Sequence, residues 1–197
     1  MEPIPKPSLD GILSFLETCE HLKTTYRSAW TSAGRSESVA EHTWRLGLMV
    51  LLFESWFPEL DTTKLFKMCM IHDLGEIISG DIPAIEQDPD VQKSIQERED
   101  LLAVLSPLPR KLHESILALW DEYEAGNSPE AKVAKALDKL ETIMQHNQGA
   151  NPPDFNYEFN LGYGRHYTDM LDFTRQVRVV LDEITKAREN EKTNARK

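Results

Sequence analysis

Apolar residues recur at the spacing of an α-helix along most of this chain, and this periodicity limits the folds that it can adopt. In the segment after Ser128 they stand three and four positions apart, at Val133, Ala134, Leu137, Leu140, Ile143 and Met144. No segment shows the alternation of a half-buried strand, and the sequence has no Asn-Gly hairpin signal. The pattern therefore predicts an all-α fold, in which helices pack on one another around a shared core.

Capping and turn residues divide this pattern into seven predicted helices. Ser38, with Glu41 three positions later, forms a capping-box pattern at the start of the second helix. Residues 22–38 and 80–90 are predicted as loops, and the aromatic segment 148–164 as irregular structure. We expect helices over residues 9–22, 38–56, 61–80, 91–105, 110–124, 129–147 and 165–188.

The chain has 197 residues, of which 40% are hydrophobic, and no linker divides it. We expect a single domain over residues 1–197, with the motif-bearing core at about 22–150 and a charged tail at 186–197. No apolar stretch reaches the roughly 20 residues that a membrane-spanning helix needs, and the N-terminus lacks the pattern of a secretory signal. We therefore expect a soluble, cytoplasmic protein that has no membrane partner, with Cys19 and Cys69 reduced and buried.

The formal net charge of −11 argues against one class of substrate. Proteins that bind DNA or RNA neutralise the phosphates of the polymer with Lys and Arg, so a strongly acidic chain is a poor candidate for polymeric nucleic acid. A small phosphate ester remains compatible with this charge, because one or two local cations and a metal ion outweigh the more distant field.

Three groups of polar residues interrupt the apolar pattern of the predicted helices. One stands near the start of the second helix, one at the end of the third, and one in the middle of the sixth. In chain order they are Glu41 and His42; His72, Asp73, Glu76 and Asp81; and Asp138 and Glu141.

The spacing of the second group favours a metal site. Glu76 comes three residues after Asp73 and four after His72, so in a continuous helix all three lie on one face. His72 and Asp73 approach an ion from two directions and need further ligands from other helices, for which His42 and Asp138 are the natural candidates. Two His and two Asp form a mixed nitrogen and oxygen site, which suits Mn, Co, Fe or Zn, with Mg possible.

Each of these residues, taken alone, is more commonly a surface residue or a hydrogen-bonded core residue than a ligand. The metal interpretation depends on all three groups together. Two further sets of residues lack such a setting. The histidines His21, His113, His146 and His166 are interpreted as structural or surface residues. The tryptophans Trp30, Trp44, Trp56 and Trp120 are expected to pack in the core or at an interface rather than to stack on bases.

The three groups lie in the segments ESVAEHTWR, MIHDLGEIISGDIPA and KALDKLETIMQ. With its ligands in the order His, His-Asp, Asp, the chain resembles the HD-domain superfamily of metal phosphohydrolases. Within it, the chain looks most like the branch of bacterial 5′-deoxynucleotidases and their eukaryotic HD-domain-containing relatives. The H-D-x-x-E-x-x-x-x-D pattern runs from His72 to Asp81, the [ST]-V-[AS]-[ED]-H element ends at His42, and the D-K-L-[ED] element begins at Asp138.

This resemblance implies a single HD-type helical bundle with a central metal site, usually in a homodimer. It implies that His42, His72, Asp73 and Asp138 bind one divalent metal ion. The family also carries an Arg upstream that binds phosphate, and Arg27 matches it in the predicted loop, fifteen residues before His42. In the bacterial branch an aromatic residue that selects deoxy sugars follows this Arg; here Ser28 follows, and the aromatic Trp30 comes later. The aromatic segment 155–163 is a candidate for the dimer contact or for the pocket wall.

By resemblance, the chain is expected to be a 5′-nucleotidase that removes phosphate from (deoxy)nucleoside 5′-monophosphates. The metal would activate a water molecule and share the charge of the phosphoryl oxygens with Arg27. Glu76 is the candidate for proton transfer, and Asp81 is the candidate for orienting the sugar or protonating the leaving oxygen. Glu141, one turn from Asp138, is expected to support the ligands.

Two alternatives stay open. One is an HD hydrolase of another nucleotide, either a di- or triphosphate or guanosine tetraphosphate. The guanosine tetraphosphate hydrolases carry Glu-Asp where this chain has Glu76 and Ile77, which argues against that class. The other is a non-catalytic helical sensor that binds metal or nucleotide, against which Glu76 and Asp81 speak because binding alone does not require them.

Overall fold

A computed structural model describes residues 3–82 and 93–195 of the chain. It is an all-α structure with one small β-hairpin, so the predicted fold class is confirmed. Among the described residues, no helix has both the length and the apolar character needed to cross a membrane. The elements are α1 (Lys6–Cys19), β1 (Tyr26–Trp30), β2 (Ser36–Ser38), α2 (Val39–Phe53), α3 (Thr62–Ile71), α4 (Glu76–Ser79), α5 (Lys93–Leu105), α6 (Arg110–Ala125), α7 (Pro129–Gln148), α8 (Tyr157–Gly162), α9 (Arg165–Thr168) and α10 (Asp172–Ala195).

Side-chain caps fix the starts of the helices that carry the polar groups. The hydroxyl of Ser38 accepts a hydrogen bond from the backbone N–H of Glu41, whose carboxylate accepts from the Ser38 N–H in return, which confirms the predicted capping box. Asp61 accepts from the N–H of Lys64 at the start of α3. Ser128 caps α7 in the same way, and Pro129 occupies its first turn.

Helix α7 is the central element of the fold. It is buried along most of its length and packs against α2, α3, α6, α9 and α10. A first apolar cluster includes Leu46 of α2 and Cys69 of α3, and a second includes Val39 and Leu74. In sequence, His42 lies between Val39 of the second cluster and Leu46 of the first. His72 lies in the same way between Cys69 of the first cluster and Leu74 of the second.

The segment 22–38, predicted as a loop, instead contains an antiparallel hairpin. Tyr26 pairs with Ser38 and Trp30 with Ser36, and the turn between the strands includes Gly34 with a φ of 82°. The second strand has only three residues, too few to produce a readable alternation of apolar and polar positions. The prediction was wrong because such short strands are set by tertiary contacts.

The helix predicted over 61–80 is interrupted. It ends at Ile71, and the chain then makes a tight turn in which the N–H of Leu74 bonds to the carbonyl of Ile71 and the N–H of Glu76 to that of Asp73. At Gly75 an added Cβ would lie 2.6 Å from the backbone oxygen of Glu97, so this turn lets α5 approach closely. Glu76 is thus placed by the turn and not by a continuous helix.

The C-terminal third of the chain also differs from prediction. The helix predicted over 165–188 is divided into α9 and α10, and α10 continues to Ala195 through much of the predicted charged tail. Helix α8 forms within the segment predicted as irregular. The predicted loop 80–90 and the start predicted for the fourth helix fall mostly outside the described residues. Cys69 is buried as expected, whereas Cys19 is only half-buried.

Candidate metal centre

Three elements bring the predicted ligands together. His42 lies in the first turn of α2, His72 and Asp73 in the turn after α3, and Asp138 in the middle of α7. His42 Nε2 is 3.2 Å from Asp138 Oδ1 and 3.8 Å from Asp73 Oδ2. His72 Nε2 is 3.1 Å from Asp73 Oδ1 and 4.0 Å from Asp138 Oδ1. The four side chains therefore point their ligand atoms at one small volume.

Hydrogen bonds at the opposite ring nitrogens fix both imidazoles. His72 Nδ1 donates to the backbone oxygen of Cys69 at 2.9 Å, and His42 Nδ1 is hydrogen-bonded to the carboxylate of Glu141. Each ring thereby turns its Nε2 toward the shared volume. In metalloproteins a ligating His usually has its other ring nitrogen held by a carboxylate or a carbonyl, which fixes the tautomer and the ring orientation.

The buried Nε2 of His42 indicates that this volume suits a cation. Asp138 Oδ1 is 3.2 Å away, but no acceptor or donor in the part of the chain that the structure describes has hydrogen-bond geometry to this atom, although a buried polar atom normally has such a partner. Ligand atoms of His42, His72 and Asp73 lie within 4.8 Å of one another. Atoms bound at about 2.1 Å to one ion are roughly 3 to 4 Å apart, so the observed spacing fits a single metal ion.

The electrostatics of the site also favour a cation. Burial and Arg27 act to lower the pKa of His42, but Glu141 and Asp138 outweigh them and raise it to about 10. Burial acts to raise the pKa of Asp73 and of Asp138, yet both values are lowered, by the two histidines and, at Asp138, first by Lys139. The carboxylates thus remain ionised, and the pocket attracts positive charge.

Arg27 lies in strand β1 and not in a loop as predicted. Its guanidinium is largely buried, with NH1 3.2 Å from Glu37 and 3.4 Å from Glu141, and NH2 donating to Thr142 Oγ1 at 3.0 Å. Burial acts to lower the pKa of Arg27, but Glu141 and the other surrounding carboxylates raise it, so the group stays charged. Because Glu141 also holds His42, the structure connects Arg27 to the ligand set through this shared carboxylate.

A cavity of about 820 Å³ opens beside the predicted ligands. Its volume lies in the range of small-molecule sites, about 300 to 1,000 Å³. His42 lies fully buried behind the wall. The sequence-predicted residues on the wall are Arg27, His72, Asp73, Glu76, Asp81 and Asp138. Glu76 is buried, whereas Asp81 is half-buried.

The cavity wall also contains residues that were not among the site residues predicted from the sequence. His146 and Trp30, predicted as structural residues, line the cavity, as does the aromatic segment 155–163. Trp120 is buried as expected, but Trp44 and Trp56 are exposed. Tyr123 donates to Asp138 Oδ2 at 3.3 Å, a contact that no sequence pattern predicts. Lys139 donates to the same oxygen at 2.9 Å. It is the second residue of the D-K-L-[ED] element that begins at Asp138.

Comparison with known proteins gives one family. The model of the HD domain family matches residues 19–178. The 5′-deoxynucleotidase HDDC2 of Danio rerio is 32% identical over 70% of this chain and 68% of that protein. The 5′-deoxynucleotidase hdd1 of Schizosaccharomyces pombe is 36% identical over 68% of this chain and 70% of that protein. The crystal structure of a "Predicted metal-dependent phosphohydrolase" from Magnetospirillum magnetotacticum matches with a TM-score of 0.80 and 26% identity, over 94% of this chain and 97% of that one.

Proposed function

The chain belongs to the HD-domain family, in the branch of the 5′-deoxynucleotidases, and on that premise we propose that it hydrolyses (deoxy)nucleoside 5′-monophosphates to nucleosides and phosphate. The observation that carries the proposal is the convergence of His42 Nε2, His72 Nε2 and two carboxylates at the cavity. An arrangement of this kind suits metal-assisted hydrolysis of a phosphate ester.

In this proposal His42, His72, Asp73 and Asp138 hold one divalent ion. The nitrogen and oxygen donors suit Mn, Co, Fe or Zn, and Mg is also compatible. When bound, such an ion supplies Lewis acidity and a nucleophile at neutral pH. Glu141 and the Cys69 carbonyl keep the two imidazoles in the ligating orientation through their Nδ1 atoms.

Glu76 and Asp81 are proposed to handle the protons. Glu76 is buried on the cavity wall, three residues after Asp73, where a carboxylate is placed to take a proton from the attacking water. Asp81 lies further along the same wall and is only half-buried. From there it is proposed to orient the sugar or to return a proton to the leaving 5′ oxygen.

The geometry of α7 supports a substrate as long as a nucleotide. Asp138, Thr142 and His146 follow one another at intervals of four residues, and all three line the cavity. Eight residues of helix span about 12 Å, which is similar to the length of a nucleoside monophosphate. At the far end, the Phe155 ring lies 5.0 Å from the His146 ring and 6.0 Å from the Trp30 ring, giving an apolar surface for a base.

We propose a homodimer that forms through one face of α2. Five large apolar side chains are exposed along this helix and the short turn after it, and Leu52 is the most exposed at 72%. The four that lie on the helix have the three- and four-residue spacing of one helix face. An exposed apolar face marks an interaction site, and a second copy of the chain is the proposed occupant. The residues of this α2 face are Trp44, Leu48, Leu51, Leu52 and Trp56.

Phosphate release from a panel of ribo- and deoxyribonucleoside 5′-monophosphates tests the proposed activity. Metal-stripped protein would be resupplied with Mn, Co, Zn or Mg, with Asp73→Ala as the inactive control. We expect metal-dependent release that is lost in the control. Because Ser28 leaves the wall beside Arg27 small, we expect ribonucleotides to be accepted as well as deoxyribonucleotides. Release from none of these substrates, with metal bound, would contradict the proposal.

A further inference from the structure

The carboxylate of Asp138 has different neighbours at its two oxygens. Oδ1 faces the ligand volume, at 3.2 Å from His42 Nε2. Oδ2 accepts a hydrogen bond from Lys139 Nζ at 2.9 Å. The carboxylate of Asp138 therefore separates the Lys139 ammonium from the predicted metal position. The side chain of Lys139 forms part of the cavity wall.

The surrounding structure fixes the position of this ammonium. Lys139 Nζ lies 5.3 Å from the centre of the Tyr163 ring, within the range of a cation–π contact. Gly164, with a φ of 66°, packs on the stem of Lys139, where an added Cβ would lie 2.6 Å from Cγ and 2.7 Å from Cβ. The conformation and the close approach both require glycine. The junction of α8 and α9 thus holds Lys139 against the cavity, unlike a mobile surface lysine.

The other lysine and arginine side chains on the described part of the cavity wall pair with carboxylates outside the predicted ligand set, whereas Lys139 pairs with Asp138. Arg27 is held by Glu37, Glu141 and Thr142. Lys135 Nζ lies 3.1 Å from Glu124 and 4.2 Å from the centre of the Tyr123 ring. An ammonium has three N–H donors, so with one on Asp138 and a second near Tyr163, Lys139 keeps a donor for a ligand oxygen.

We propose that Lys139 binds a phosphoryl oxygen of the substrate, a role that rests on the proposed function. The position of its ammonium beside a metal-ligating carboxylate places a fixed positive charge where the phosphate of a monoester has to lie. A charged donor is needed there because the wall carries the carboxylates of Asp73, Glu76, Asp81 and Asp138, which repel a phosphate dianion. Arg27, on the same wall, is proposed to bind a second phosphoryl oxygen and also supports Glu141.

Binding of inorganic phosphate, measured by calorimetry on the Mn²⁺-loaded protein, tests this inference without requiring turnover. Lys139→Met should weaken phosphate binding roughly 10- to 100-fold, as expected for the loss of a hydrogen bond to a charged group. Lys139→Arg should retain most of the affinity. The matched control is Lys132→Met, which removes a lysine from the same helix outside the cavity wall and should leave the affinity unchanged.

Mn²⁺ affinity of the metal-stripped variants separates phosphate binding from a purely structural role. If Lys139 binds phosphate, Lys139→Met keeps or increases the Mn²⁺ affinity, because a nearby positive charge has been removed. A fall in Mn²⁺ affinity that accompanies the loss of phosphate binding would instead assign Lys139 to positioning Asp138 and overturn the inference. Unchanged phosphate binding in Lys139→Met, or none in the wild type, would overturn it too.

The two proposals fail in different ways. Lys139-dependent phosphate binding in a wild-type protein that releases no phosphate from monophosphates would reject the proposed activity and keep the phosphate site. Wild-type turnover with a Michaelis constant that Lys139→Met does not change would reject the role of Lys139 alone.

Discussion

At the scale of single residues, Glu141 has the contacts that organise the site. It is completely buried, and its carboxylate is bonded to His42 Nδ1, Arg27 and Arg45. The sequence motifs identified the candidate ligands, because residue type and order carry that information, and the structure brings these side chains together. The motifs could not predict that Arg27 would be held by Glu141, because the two residues are 114 positions apart and meet only through the packing of β1 on α7.

Glu141→Gln tests this contact. The amide keeps the shape of the side chain but removes the charge that holds the His42 ring, so we expect metal affinity to fall about 10- to 100-fold, with a normal helical spectrum. Metal titration of the stripped protein measures the effect. Glu114→Gln, an exposed carboxylate on α6, is the control. Equal metal affinity of the Glu141 variant and the wild type would show that this carboxylate does not support the ligand.

Arg27→Ala tests the support role of the buried guanidinium. Removing it leaves Glu37 and Glu141 buried with less compensating charge, so we expect a loss of about 3 kcal/mol in the free energy of unfolding. Arg35→Ala removes an exposed arginine of the same hairpin, paired with Glu41, and should cost much less than Arg27→Ala because solvent screens an exposed pair. Urea unfolding of both variants provides the comparison, and similar losses would contradict the burial argument.

Among the secondary-structure elements, the features that depend on residues close in sequence were predicted correctly. The caps at Ser38 and Ser128 and the apolar period of α7 lie in the sequence and appear in the structure. The hairpin and the break after Ile71 were not predictable in this way, because both depend on contacts with distant segments. At Gly75 the deciding contact is with Glu97 of α5, which is remote in sequence.

Gly75→Ala tests the close approach of α5 to the turn that carries Asp73. Gly75 has a φ of −63°, which any residue adopts, so the effect of the added Cβ is steric and not conformational. We expect a loss of about 2 kcal/mol in unfolding free energy, as for other overpacked sites. Gly162→Ala, where nothing lies within 4 Å of the new Cβ, is the control and should be neutral or stabilising. A neutral effect of Gly75→Ala would contradict the close packing.

At the scale of the whole molecule, α2 serves two purposes on opposite faces. Its inner face carries His42 and packs on α3 and α7, while its outer face exposes the apolar residues proposed to form the dimer. The sequence pattern predicted that these outer residues belong to a helix. It did not show which apolar residues of α2 are buried and which are exposed, because both faces of the helix are apolar. Trp44 and Trp56 were for this reason predicted as packing residues without a partner being identified.

Leu52→Glu tests the proposed dimer. A charge in the centre of an apolar contact opposes association, so we expect the wild type to be a dimer and this variant a monomer by light scattering coupled to size-exclusion chromatography. Val180→Glu places the same charge on an exposed apolar position of α10 and should remain dimeric. A monomeric wild type would reject the α2 face as a self-association surface.

The metal content of Asp138→Ala, measured together with its phosphate release, is the decisive test of a single metal ion held by His42, His72, Asp73 and Asp138. We expect one divalent ion per chain in the wild type. In the variant we expect loss of both the ion and turnover, because Asp138 Oδ1 faces both histidines. Asp121→Ala, which removes an aspartate paired with Arg98 away from the cavity, should behave like the wild type. An Asp138→Ala protein that still releases phosphate, with metal verified as absent, would contradict the site assignment.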